Sequence, residues 1–364
     1  MRLSRASSKR HGKYSPAESL HGTETSPLFC RNALRPSRTS ARQSAVSSSP
    51  PRQRRYMKGL ELSRRFYEEF GAPMIAEQFP EYRDRIAVGL VGHGSECFGY
   101  DDDISRDHDY GPGFCMFLTD EDEQKIGFRL FRAYSKLPHE YLGVSQSKRS
   151  AAEECRGVMR ISDFYRNTLG GIIIPERWQE WYFTPAAAFA EATNGAVFTD
   201  PLGEFTRIRE ALLHGMPEDV RLKRLASHLL ALAQYGQYNF GRCIDHGEKA
   251  AAMISLSRFS ERYASLICLV SGRWAPYYKW TARAAREQRE WALEASLLDE
   301  LPTLAVNDAR SCFECIEQLS STVIDWLVEQ KLAPQLGDYL EPYAYAVNDN
   351  IKTEQIRNMP LGTD

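Results

Sequence analysis

The chain has 364 residues, 43% of them apolar and 26% charged, with a formal net charge of −2, which fits a soluble globular class with room for two cored domains. No apolar run reaches the roughly 18 residues a membrane span needs, and no secretory signal precedes the body. The near-neutral total hides a split: residues 1–56 carry twelve Lys or Arg against Glu18 and Glu24, while residues 57–364 carry 34 basic against 46 acidic side chains, a balance that disfavours bulk binding of a nucleic-acid backbone.

The leader, residues 1–56, also holds twelve Ser and five Pro and shows no apolar periodicity, so it is expected to be disordered. Its Arg- and Ser-rich, acid-poor composition is one that organellar transit peptides use. The simpler reading starts the body at Met57 and treats the leader as a plain tail or an over-extended gene start.

From Gly59 to Phe70 apolar residues recur at helical spacing, and Gly71-Ala72-Pro73 reads as a stop before a short turn over Met74 to Phe79. Ile86 to Val91 and Phe114 to Leu118 read as buried strands. Asp120 to Tyr134 predicts a helix whose acidic first turn and basic later positions suit the macrodipole. A weak strand over Gly157 to Ile161, a helix over Asp163 to Leu169, a helix over Trp178 to Ala192 and a strand over Ala196 to Thr199 complete a mixed domain. Beyond Pro217 only helical patterns remain, at Glu218 onward and at about 246–271, 282–299, 308–331 and 337–346. The fold class is α+β: a domain at 57–210 built on a small mixed sheet with flanking helices, then an all-helical domain at 217–364. The eight cysteines read as free thiols, and the lone Cys312-x-x-Cys315 lacks the second pair a zinc site would need.

The stretch Gly92 to Gly113 joins the first two strands and concentrates the chemistry. Gly94 lets the backbone approach a phosphate closely, and Ser95 can offer an amide and a hydroxyl to its oxygens. Asp107 and Asp109 alternate, so on a strand they share one face and can hold divalent cations. An EF-hand reading fails because Arg106 stands where that loop wants glycine and Pro112 where it wants glutamate. Asp101 to Asp103 read as a solvated shoulder.

Gly94-Ser95, eleven residues, then Asp107-x-Asp109 resembles the motif of the DNA polymerase beta-like nucleotidyltransferase superfamily. The wider pattern from Gly94 to Asp109, with Thr193 to Asp200, Gly236 to Asn239 with Arg242, and Pro276 to Trp280, is similar to an uncharacterised bacterial nucleotidyltransferase-like family, a domain of unknown function. The resemblance implies a nucleotidyltransferase-fold domain in which Asp107 and Asp109 are catalytic and bind Mg²⁺ or Mn²⁺. A third carboxylate is expected from a neighbouring strand, with Asp163 or Asp200 as the candidates. Gly94 and Ser95 would bind nucleotide. Tyr235, Asn239 and Arg242 fall at i, i+4 and i+7 of a helix, and with Lys279 the latter two look like the wall that meets the triphosphate.

The expected activity is transfer of a nucleoside monophosphate with release of pyrophosphate; a degenerate, non-catalytic nucleotide or partner binder of the same fold is the alternative. The expected partners are a nucleoside triphosphate, ATP first, a small-molecule or protein acceptor, and a second copy of the chain. RNA as acceptor is disfavoured by the acidic body, no membrane is expected, and the expected compartment is the cytoplasm.

Overall fold

The computed structural model of the protein describes residues 57–104, 110–145 and 156–362. The leader and the pair Asp107 and Asp109 lie outside the described residues.

Helix α1 (Gly59–Phe66), a π-helical turn (Tyr67–Gly71) and α2 (Ala72–Gln78) run on from one another with right-handed helical backbone at each junction. The expected stop at Gly71-Ala72-Pro73 is therefore overturned. Pro73 falls in the first turn of α2, where its missing N–H and fixed φ cost little, and the wider π turn precedes it. Gly71 serves packing instead, because a Cβ there would stand 2.4 Å from the Phe114 ring.

Strands β1 (Ala87–Leu90) and β2 (Cys115–Leu118) are buried along their whole length. After β2, Thr119 accepts a hydrogen bond from the Asp122 amide (3.1 Å) and opens α3 (Asp120–Tyr134). A two-stranded ribbon follows, β3 (Glu140–Tyr141) and β4 (Val144–Ser145), which sequence reasoning missed. Leu142 (φ 51°) and Gly143 (φ 73°) form its tight turn, and Leu is not among the residues that usually mark a left-handed hairpin position. Strand β5 (Gly157–Arg160) leads directly into α4 (Ile161–Thr168).

The expected helix over 178–192 is two, α5 (Trp178–Phe183) and α6 (Ala186–Thr193), because Pro185 interrupts it. Strand β6 (Ala196–Thr199) closes the sheet in the order β5-β2-β1-β6. Only β2 and β5 are parallel, so the sheet is mixed.

The helical part comprises α7 (Glu204–His214), α8 (Glu218–Leu232), a π-helical stretch (Ala233–Phe240), α9 (Gly241–Asp245), α10 (Lys249–Val270), α11 (Tyr278–Arg286), α12 (Ala292–Asn307), α13 (Ala309–Glu329), α14 (Leu340–Asp349) and α15 (Glu354–Arg357). The expected helix over 282–299 is likewise split, between α11 and α12.

Phe114, Met116 and Leu118 face one side of the sheet, packed with Phe66, Ile75, Ile126 and Leu130. Cys115 and Phe117 face the other, where the core continues without a break through α4, α7, α8, α10, α13 and α14. Each such buried side chain contributes about 1.5–3 kcal/mol by removal from water. The molecule is thus α+β, a four-stranded mixed sheet flanked by helices and joined through one face to a helical assembly.

Strand register fixes which residues share an end of the sheet. Gly89 pairs with Cys115 and Ala87 with Phe117; Cys115 pairs with Gly157 and Leu118 with Arg160; Leu90 pairs with Ala196 and Val88 with Thr199. One end therefore carries Val91, Phe114, Arg156 and Gly195, and the connection from Gly92 to Gly113 springs from it. The other end carries Thr119, Ile161 and Asp200.

Candidate functional site

The connection begins with a clamp. The Asn194 side chain accepts from the Gly92 amide and donates to the Gly92 carbonyl, both at 2.7 Å. Asn194 can reach because Gly195 (φ 68°) turns the chain so tightly that a Cβ there would stand 2.0 Å from the Leu90 oxygen. Gly94 follows at φ 115°, and its Cβ would meet the Glu96 carboxylate at 2.7 Å, so only glycine fits.

A short helical turn starts here: the Gly94 carbonyl accepts from Cys97, and Ser95 accepts from Phe98 and Tyr100. His93 is exposed and Gly94 and Ser95 are part-exposed between buried Gly92 and buried Glu96, so this corner is open.

Three sets of contacts hold the rest. Arg156, buried where the chain enters β5, donates to Glu96 Oε1 at 2.7 Å and to the Gly111 carbonyl. Burial alone would depress the Arg156 guanidinium, but Glu96 more than reverses this and raises it. Ser63 donates to the Gly113 carbonyl (2.6 Å), and the Tyr134 hydroxyl accepts from the Phe114 amide (3.1 Å). Asp101 accepts from the Gly59 amide at 2.7 Å and pairs with Lys58.

Asp101 is 1% exposed, which corrects its reading as part of a solvated shoulder: it anchors the start of α1, where a carboxylate complements the helix dipole. Asp102 and Asp103 are exposed, as expected.

Helix α11 grips the connection from the helical side. Trp280 packs on Tyr100 (5.4 Å between ring centroids), Arg283 lies over the Tyr100 ring (4.5 Å) and donates to its carbonyl, and the Tyr100 hydroxyl donates to Glu287. Burial first, and Glu287 second, push the Tyr100 phenol upward, so it remains the donor.

Lys279 shares this helix, is exposed, and lies 5.0 Å from the Trp280 ring centroid, so it flanks the loop contact. Asn239 and Arg242 are placed differently. Their stretch is π-helical up to Phe240, so the alignment at i, i+4 and i+7 that an α-helix would give with Tyr235 does not hold. Arg242 lies over Tyr238 (5.0 Å), and no recorded contact brings it to Lys279, Gly94 or Ser95.

Asp163 and Asp200 lie at the sheet end away from the connection. Asp163 follows β5 past Arg160 and stands 3.9 Å from it, and Asp200 accepts from the Thr206 amide (2.8 Å) at the start of α7. Four paired residues of β2 and β5, about 10 Å at the usual strand rise, separate Asp163 from Gly113. The geometry brings neither to Gly94 and Ser95. Among the described residues no cluster of three His, Cys, Asp or Glu could hold a metal ion. Asp107 and Asp109 themselves fall between Ile104 and Tyr110, outside the described residues.

Sequence reasoning assigned no role to Asn194, Glu96, Arg156 or the α11 grip, although Glu96, Asn194 and Trp280 lie within the stretches that carry the family resemblance.

No curated protein matches the chain. Among solved structures, a nucleotidyltransferase-like protein from Exiguobacterium sibiricum is similar at 13% identity, over 79% of this chain and 81% of its own, with a TM-score of 0.31. A likeness that loose transfers neither a fold nor an activity. The resemblance to a family known only as a domain of unknown function does hold over one region: residues 181–281, from Trp181 in α5 to Thr281 in α11, match the family model DUF4037.

Proposed function

We propose that the protein is a metal-dependent nucleotidyltransferase. The observation that carries this reading is the corner at Gly94-Ser95. It is held from both sides, it is restricted to glycine at φ 115°, and it is part-exposed at a tight turn, where the Ser95 amide and hydroxyl can meet an anion. The sequence places Asp107-x-Asp109 on the same connection. In this reading the Gly94 and Ser95 backbone, with the Ser95 hydroxyl, orients the triphosphate. Lys279 offsets its charge from α11. An acceptor hydroxyl or similar group attacks the α-phosphate, and pyrophosphate leaves. Mg²⁺ or Mn²⁺ held by Asp107 and Asp109 would supply charge neutralisation at the phosphate oxygens. Asn239 and Arg242 have no assigned step.

The test is incubation with labelled nucleoside triphosphates and Mn²⁺ across a panel of small-molecule and protein acceptors. Labelled product that Asp107→Asn abolishes, at an unchanged melting temperature, supports the reading. No product and no metal-dependent nucleotide binding sinks it.

A second reading, a nucleotide binder without chemistry, is favoured by one observation. Strand β5, the neighbour of β2 from which a third carboxylate is expected, reads Gly157-Val158-Met159-Arg160 and carries none. Nucleotide-dependent thermal stabilisation that survives Asp109→Ala, without turnover, would select this reading.

A further inference from the structure

A cavity of about 770 Å³ opens between the start of α6, the middle of α8 and α10, and the segment Arg273 to Thr281, with Met359 and Pro360 at its rim. Nearly all of its lining lies within the DUF4037 match. Its charge is lopsided. Arg224, Arg262 and Arg273 line it, and its one acid, Glu261, is paired with Arg258. Among the described residues neither Arg262 nor Arg273 makes an ion pair.

Behind this wall the Arg224 guanidinium is committed to the fold, its Nη2 donating to the Trp181, Tyr182 and Thr184 carbonyls (2.7, 2.9 and 2.8 Å). The first turns of α6 and α11 also face it, which adds the positive end of two helix dipoles. Trp274 on the wall and the exposed pair Tyr277 and Tyr278 (4.4 Å between centroids) supply flat apolar surface.

We propose that this cavity is a binding site for a small phosphate monoester carrying a planar ring: Arg262, Arg273 and the two helix starts take the phosphate, and the tyrosines cover the ring. Two guanidinium groups and two helix starts exceed what one carboxylate needs and suit a dianion. Burial, with Arg262 and Arg224 nearby, lowers His228 to about 3, so its imidazole is neutral and adds no charge.

The site is separate from the Gly94-Ser95 corner. On α6 the cavity takes the first turn, whereas the connection is met by Asn194 just past its end; on α11 it takes Tyr278 and Thr281, whereas Trp280 and Arg283 meet Tyr100. The proposal therefore does not rest on nucleotidyl transfer.

The test is calorimetric titration of the full chain in EDTA, where no divalent ion loads the loop, with AMP, inorganic phosphate, adenosine and benzoate. AMP is expected to bind, phosphate to compete with it, and adenosine and benzoate to bind at least tenfold more weakly. Arg262→Gln with Arg273→Gln, whose unliganded melting temperature is checked first, should weaken AMP at least tenfold, while Asp107→Asn with Asp109→Asn should leave it unchanged. Absence of AMP binding at millimolar concentration overturns the site, as does equal binding in the double arginine variant. Preference for adenosine or benzoate overturns the ligand class, and loss in the aspartate variant assigns the AMP to the loop.

Discussion

The two ends of α6 lead to regions that treat charge in opposite ways. At the connection between β1 and β2, Arg156 meets Glu96, and Asp101 meets Gly59 and Lys58. These groups shape the loop and are consumed in doing so, so the proposed chemistry rests on the open corner at Gly94 and Ser95 and on the two aspartates. In the cavity, Arg262 and Arg273 line the wall without an ion pair among the described residues. Paired burial marks a scaffold, and unpaired positive charge around a cavity marks a place that an anion completes.

The largest expected effect breaks the scaffold. The Glu96 and Arg156 side chains are 4% and 5% exposed. Glu96→Ala leaves a buried guanidinium without its counter-charge and should cost about 3–5 kcal/mol in urea unfolding. Glu96→Met with Arg156→Leu removes both charges and should recover most of that loss. If the single variant unfolds with the wild-type midpoint, the pair is not a scaffold.

The contrast also appears in acid. His228 is held at about 3 in the folded protein against an ordinary 6.5, so between those values the unfolded chain binds the proton and the folded one does not. Stability therefore falls as pH drops from about 6.5 towards 3, by at most about 1.4 kcal/mol per unit. His228→Gln removes this dependence. The stability difference between variant and wild type should shift by about 2–3 kcal/mol in the variant's favour between pH 7.5 and pH 4.5. A difference that stays constant with pH would mean that His228 is solvated.

Much of the architecture could be read from residue order because it depends on local rules. The strands at Ala87, Cys115, Gly157 and Ala196 follow from short, mostly apolar runs, and α3 from its acidic first turn and basic later positions. The misreadings share a cause: they depended on partners distant in sequence. Gly71-Ala72-Pro73 looks like a stop until Phe114 is seen to need the space at Gly71. Asp101 looks solvated until Gly59 and Lys58 arrive from 42 and 43 residues away. Asp163 and Asp200 looked available as ligands because spacing does not reveal which end of a sheet a residue occupies; strand register does. His228 passed unnoticed on the apolar face of α8, where a lone histidine carries no pattern.

A smaller effect sharpens the loop side. Asn194→Ala removes both 2.7 Å hydrogen bonds to Gly92, and at a part-buried site this should cost about 1–2 kcal/mol. The specific readout is amide exchange. Residues 92–99 should lose protection while α13, packed in the helical core, keeps its own. Uniform loss across the chain would show that the clamp stabilises the fold and not the corner.

The smallest effect concerns the wall of the cavity. Asp219 accepts from the Thr353 hydroxyl (2.6 Å), the Thr353 amide (2.8 Å) and the Lys352 amide (3.2 Å). This holds the start of the segment that runs through α15 to Met359 and Pro360 at the rim. Slight burial would raise the Asp219 carboxyl, but these bonds outweigh it and lower it. The stability it contributes is therefore present above the ordinary aspartate value of 3.8 and is lost as pH falls through the lowered one. Because the site is open to water, Asp219→Ala should cost only about 1 kcal/mol, and the cost should vanish in strong acid. Exchange of amides 352–359 should quicken, and AMP should bind the cavity more weakly because its rim is loosened. Quickened exchange with unaltered AMP affinity would leave Met359 and Pro360 as bystanders and confine the site to Arg262, Arg273 and the two helix starts.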